Sequence, residues 1–232
     1  MAGHKTTEPR EWVRIAWGIV LFVAFVGACF AIAGRLDWVQ AWAFFAVFIV
    51  YSAVVLGWLA RSNPDLFQER RRTGQNVEGW DKVVMRVYTV LLLVLFATSA
   101  LDAGRYRWSE VPVALQAGAW AGMVLAGAVV WHVMAVNAYL SSMVRIQEDR
   151  GQEVVSKGLY RYVRHPMYVA IMVLITCVPL LLGSFWGLIP GCLIVGLFVY
   201  RTAREDRTLM DKLPGYREYA QRVRYRLLPG VW

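Results

Sequence analysis

Two polar stretches interrupt a sequence that is otherwise strongly apolar. The first, GLYRYVRHPMY (Gly158 to Tyr168), sets Arg161, Arg164 and His165 directly before a proline and another hydrophobic run. The second, RTAREDRTLMDKLPGYREYAQRVRYRLLP (Arg201 to Pro229), opens with Arg201 and Glu205 four residues apart, hence on one face of a helix. A guanidinium and a carboxylate so spaced either form an intrahelical ion pair, worth about 0.3–0.5 kcal/mol, or turn toward a pocket where water meets lipid. Tyr160, His165 and Tyr168 divide in the same way between interfacial anchoring and a pocket wall.

What must position these groups is the segment between them. Met167 to Tyr200 is too long for one membrane crossing and short for two, and Gly183 with Ser184 divides it. The spacing predicts a tight hairpin with arms of about sixteen residues, short against the ~20 that a bilayer requires. Pro166 starts the first arm at no hydrogen-bonding cost. Gly183, Gly187 and Gly191 fall on one face, and Pro179 and Pro190 loosen the backbone of the arms. Such a hairpin returns the chain to the side it left, so the two polar stretches meet there.

The rest of the chain fixes the setting. Of its 232 residues 58% are hydrophobic and only 18% charged, which disfavours a soluble globular protein. Bilayer-length apolar runs cover 12–33, 38–59 and 83–101, and a longer one covers 111–143. That last run is expected to tilt, or to carry its helix beyond the lipid toward Arg145. The N-terminal run is too long for a signal peptide and no cleavage site follows it, so it counts as the first span. Cys29, Cys177 and Cys192 all sit in apolar runs without metal-ligand spacing, which points to neither disulfides nor a metal.

A net charge of +9 raises nucleic acid as a partner, but the placement of the basic residues argues against it. If the chain changes sides after each run, the N-terminus, the 61–82 loop, the 145–164 segment and the C-terminal tail share one side. Only Arg35, Arg105 and Arg107 fall on the other. This is the positive-inside pattern, with both termini and the polar stretches in the cytoplasm and anionic lipid as partner.

The expected architecture is an all-α, polytopic integral membrane protein of about six hydrophobic helices, the last two a short hairpin followed by a cytoplasmic helical segment. Residues 1–143 form a four-span scaffold, and 144–232 a cofactor-binding and catalytic region with its hairpin at 166–200. Within the scaffold, Asn63 and Pro64 signal a helix start in a loop that reads equally as an interfacial amphipathic helix or as solvated chain. Gly118 and Gly122 allow a close helix approach. His132 and Asn137 are polar groups near the end of the fourth span, suited to interhelical hydrogen bonds or to a substrate.

The joint arrangement resembles the isoprenylcysteine carboxyl methyltransferase family of integral membrane enzymes, and the related phospholipid methyltransferases. The family pattern is Gly-x-Tyr, Arg-His-Pro-x-Tyr, a helical hairpin, Arg-x-x-x-Glu-[Glu/Asp]-x-x-Leu, and a Tyr-x-x-Tyr tail ending near a proline. It is met by Gly158 and Tyr160, by RHPMY at Arg164 to Tyr168, by Arg201 with EDRTL from Glu205 to Leu209, and by YREY at Tyr216 to Tyr219 ahead of Pro229. The sequence departs from it at Ala170, where a glycine is frequent, and at Val223–Arg224, where Val-Pro is frequent.

The resemblance implies an S-adenosylmethionine-dependent methyltransferase acting on a lipophilic or amphipathic acceptor, with a carboxylate, as in isoprenylcysteine methyl esterification, the best-known case. It places cofactor contacts at Gln152, Glu153, Val154, Val155, Leu159, Tyr160, His165, Pro166, Met167, Tyr168 and Glu205, with Gln147 or Arg145 as an upstream contact. Arg201 matches the arginine that faces the substrate and, with Glu205, is the catalytic candidate; His132 and Asn137 are further substrate candidates. Glu205 can balance the cofactor ammonium and His165 or a backbone donor its carboxylate. Tyr160, Val154 and Val155 can hold the adenine. Methyl transfer to a carboxylate needs no general base, because that nucleophile is already ionised at neutral pH. It needs alignment.

Two alternatives remain. A steroid-reductase-like membrane enzyme using NADPH shares the Arg-His-Pro-x-Tyr stretch, but its usual Asn is Met167 here and its following Gly-Glu is missing from Val169 to Ile171. A noncatalytic lipid-binding scaffold would keep the fold without turnover.

Overall fold

The computed structural model describes residues 9–71 and 77–232. Among these the secondary structure is helical: α1 (Pro9–Ala33), α2 (Val39–Ser62), α3 (Pro64–Arg71), α4 (Gly79–Ser99), α5 (Val113–Val136), α6 (Pro166–Leu182), α7 (Leu188–Lys212) and α8 (Tyr216–Arg222). Helices α1, α2, α4 and α5 are each long and apolar enough to cross a bilayer, and α6 is a shorter apolar helix. The chain is an all-α, multi-pass integral membrane protein. The outward faces of α1 and α2 agree: Ile19, Val20, Leu21, Val23, Ile49, Val50 and Val54 are all exposed, a composition only lipid accommodates.

The predicted hairpin forms. Gly183 adopts the left-handed conformation, φ 86°, which lets Ser184 N–H reach Pro179 O at 2.8 Å and Gly183 N–H reach Leu180 O at 3.1 Å. These bonds close the last turn of α6 as a Schellman motif. Pro179 removes the N–H that Ile175 O would otherwise accept, and Gly191 packs α7 against that carbonyl, with its pro-Cβ position 3.6 Å from the oxygen. At Gly187 a Cβ would overlap Ser99 Oγ and lie 2.7 Å from Pro179 Cβ, so this glycine admits α4. In α5, Gly122 meets Cys177 of α6, whereas Gly118 has nothing within 4 Å.

The turn of the hairpin is fastened to the end of α4, which continues as a π-helical segment, Ala100–Tyr106. Asp102, fully buried there, accepts hydrogen bonds from Ser184 Oγ (2.6 Å) and Ser109 Oγ (2.7 Å), and Trp38 Nε1 donates to Leu182 O at 3.0 Å. The principal helix contacts are α5 with α6, α4 with α7, and α6 with α7. The polar ends of α6 and α7 therefore emerge together beside the ends of α4 and α5.

Two expectations are corrected or resolved. Helix α5 ends at Val136 and does not carry on toward Arg145. Asn137 stops it, its Oδ1 accepting Tyr139 N–H at 2.9 Å, and residues 137–147 fold back over the bundle end. The 61–82 loop starts with a helix where Asn63 predicts one: Asn63 Oδ1 accepts Leu66 N–H at 3.1 Å. Leu66 is fully buried, so α3 is docked on the protein; residues 72–76 of the loop and those before Pro9 lie outside the described residues.

Candidate active site

At the polar end of the bundle lies a cavity of about 290 Å³, near the lower end of small-molecule sites. It is lined by the polar Tyr160, His165, Tyr168, Arg201 and Glu205 and by Met85 and Tyr88 of α4, Ile171 of α6 and Phe198 of α7. The two polar stretches thus face one space.

The joint between them is Asp206, which is fully buried. Arg164 binds it with both guanidinium arms, Nε and Nη2 each at 2.8 Å. Arg226 Nε donates to it at 2.8 Å and Tyr216 Oη at 2.9 Å, and His165 Nε2 stands 3.2 Å away. Burial alone would raise this carboxyl, but the bonds from His165, Arg164 and Arg226 together hold it well below the usual carboxylate range. Arg164 also donates to Val223 O (2.7 Å) and Arg224 O (2.9 Å), so the unusual Val-Arg step of the tail receives the same guanidinium. Tyr216 and Tyr219 of the Tyr-x-x-Tyr tail belong to this joint: Tyr219 Oη donates to Tyr160 O at 2.7 Å.

Residues 113–211 match the model of the isoprenylcysteine carboxyl methyltransferase (ICMT) family. The match contains the RHPMY stretch, the hairpin and the Arg201–Glu205 element, and it supports a membrane methyltransferase in general. No curated protein matches the chain.

Within the matched residues, Arg201 and Glu205 share a face but do not pair. Arg201 Nε and Nη2 go to the two oxygens of Asp81, at 2.8 and 3.0 Å, and Nη2 also reaches Ser142 O. The guanidinium lies over the Tyr168 ring, 5.2 Å from its centroid. Glu205 accepts the hydroxyl of Tyr168, whose ring is stacked on His165 with centroids 5.7 Å apart. Neither side of the intrahelical ion pair remains: each charge is held by a residue distant in sequence.

Of the other residues singled out from sequence, Asn137, Gln152, Glu153, Val154, Val155 and Met167 line the cavity, as does Arg145. Asn137 Nδ2 donates to Tyr160 Oη at 2.7 Å. Burial pushes the Tyr160 phenol above its ordinary value. Gln147, Leu159, Pro166 and His132 stand off the cavity wall. Gln147 is buried and bound to Tyr139 O at 2.6 Å, which fixes the 137–147 segment. His132 is exposed and packs on the Gly158 backbone, where the left-handed φ of 59° leaves no room for a Cβ.

His165 has a defined polarity. An ionised Asp206 only accepts, so the Nε2 that faces it at 3.2 Å carries a hydrogen.

Sequence reasoning passed over Asp206, Asp81 and the Arg145–Glu69 pair (Nε to Oε1, 2.8 Å). For Asp206 the signal was present, as the acidic position after Glu205 in the family pattern. Asp81, in the first turn of α4, is one of several acids between the second and third apolar runs, and nothing in its neighbours announces Arg201.

Proposed function

We propose that the protein is an S-adenosylmethionine-dependent methyltransferase that methylates a lipophilic or amphipathic acceptor, a carboxylate in the favoured case, at the cytoplasmic face of the membrane. The observation that carries this reading is the convergence of Tyr160, His165, Tyr168, Arg201 and Glu205 on one cavity that apolar side chains also line. The residues present fit the cofactor: an acid for its ammonium, apolar Val154, Val155, Leu209 and Leu213 for its adenine, and a volume of small-molecule size. When bound, S-adenosylmethionine supplies an electrophilic methyl on a sulfonium. Cytoplasmic placement rests on the basic bias of this end.

The chain's own part is positioning. Glu205, oriented by the Tyr168 hydroxyl, offers its carboxylate to a cation. Asp81 fixes the Arg201 guanidinium above Tyr168, and its third nitrogen, Nη1, remains to orient an anionic acceptor. Met85, Tyr88, Ile171 and Phe198 keep the acceptor end dry, which strengthens each of these interactions. No residue has to remove a proton from an acceptor carboxylate.

The test is binding of S-adenosylhomocysteine, against NADPH, to the purified protein in lipid nanodiscs. Saturable S-adenosylhomocysteine binding that is weakened in Glu205→Gln supports the reading; binding of NADPH alone would move the protein to the reductase class.

A further inference from the structure

We propose that Arg70 of α3 is the anchor for a carboxylate that a ligand carries into the cavity. This rests on the methyltransferase reading for the ligand's identity, though Arg70 itself lies outside the ICMT-matched residues, 113–211.

Among the described residues four arginines line the cavity: Arg70, Arg145, Arg164 and Arg201. Three are occupied by protein carboxylates. Arg145 has Glu69 and Asp149, Arg164 has Asp206, and Arg201 has Asp81. Arg70 differs: among the described residues its hydrogen bond is a single long one, Nη1 to Leu140 O at 3.4 Å. A guanidinium carries five N–H donors, and those not bound to Leu140 O are open to the solvent-accessible cavity, where a ligand carboxylate can take the place of water. Burial pushes its pKa down.

The placement is built. Leu66, fully buried, seats α3 against Val55, Leu59 and Met134. Glu69, the residue before Arg70, is clamped by Arg145 through two bonds of 2.8 Å. Arg70 and Arg201 reach the same 140–142 segment, one at Leu140 O and the other at Ser142 O. Among the described residues, Arg70 is the arginine of the cavity not committed to an acid. A carboxylate exists on both candidate ligands, the sulfonium donor and a carboxylate acceptor.

Two matched pairs of probes locate it, each titrated into wild type, Arg70→Ala, Arg70→Lys and the exposed-surface control Arg61→Ala in nanodiscs. The first pair is S-adenosylhomocysteine and its decarboxylated analogue; the second is dodecanoate and dodecanol. A lost charge-assisted contact is worth about 10- to 100-fold in affinity. If Arg70 holds the donor's carboxylate, Arg70→Ala weakens S-adenosylhomocysteine by that factor and its analogue hardly at all. If it holds the acceptor's, the same selectivity appears between dodecanoate and dodecanol. Arg70→Lys recovers part of either. The proposal is overturned if Arg70→Ala shifts both members of each pair equally or neither. Should wild type bind no S-adenosylhomocysteine, the methyltransferase reading falls, and the fatty-acid pair still judges Arg70.

Discussion

Arg164 and Asp206, forty-two residues apart in sequence, meet through two parallel bonds of 2.8 Å with neither side chain more than 5% exposed. This fork joins the RHPMY stretch to the far end of the hairpin, and the tail is added to it by Arg226 and Tyr216. Removing one partner of a buried pair leaves an uncompensated charge, which costs about 3–5 kcal/mol. Asp206→Ala is therefore expected to lower the melting temperature sharply in a thermal unfolding assay, and Asp206→Asn by less.

The pH dependence of that joint has a definite sign. The Asp206 carboxyl is held below its unfolded value, so its stabilisation is fully present above the unfolded pKa, about 3.9, and is lost as pH falls through the lower folded value. The stability gap between wild type and Asp206→Asn should narrow as pH falls below about 4. Thermal unfolding of both proteins across that range measures it.

Asp81 and Arg201 are expected to act as a unit. Asp81→Ala leaves Arg201 buried without its acid, and Arg201→Ala does the reverse to Asp81. Each single change should impair stability and methyl transfer by an amount close to that of the double change. A double-mutant cycle checks this, and simple additivity would contradict the coupling.

Packing of the hairpin gives a pair of opposite expectations. Gly187→Ala places a Cβ into Ser99 Oγ and Pro179 Cβ, and such overpacking costs about 1–3 kcal/mol. Gly196→Ala in the same helix has nothing within 4 Å and should be neutral or mildly stabilising. Melting temperatures of the two variants side by side decide the point.

What was legible in the sequence is what short-range physics fixes. The start of α6 at Pro166, its stop at Gly183 and the Asn63 cap of α3 each follow from one residue's backbone or side-chain chemistry. The spans follow from the length of apolar runs. The end of α5 did not, because Ala138, Tyr139 and Leu140 continue the apolar run although they fold over the bundle rather than face lipid; hydropathy does not distinguish these. Long-range pairing was equally hidden. Arg201 and Glu205 suggest each other by spacing, yet Asp81 and Tyr168 hold them, and only the packing of α4 and α6 against α7 brings those partners within reach.

The most direct test of the central claim is transfer of label from methyl-labelled S-adenosylmethionine to a panel of lipophilic carboxylic acids, thiols, amines and phenols, by wild type and Glu205→Gln in nanodiscs. The account predicts label in at least one organic-extractable product with wild type, carboxylates foremost, and a loss of about 10- to 100-fold in Glu205→Gln at limiting cofactor. No labelled product from wild type across the panel, or equal labelling by the variant, would contradict it.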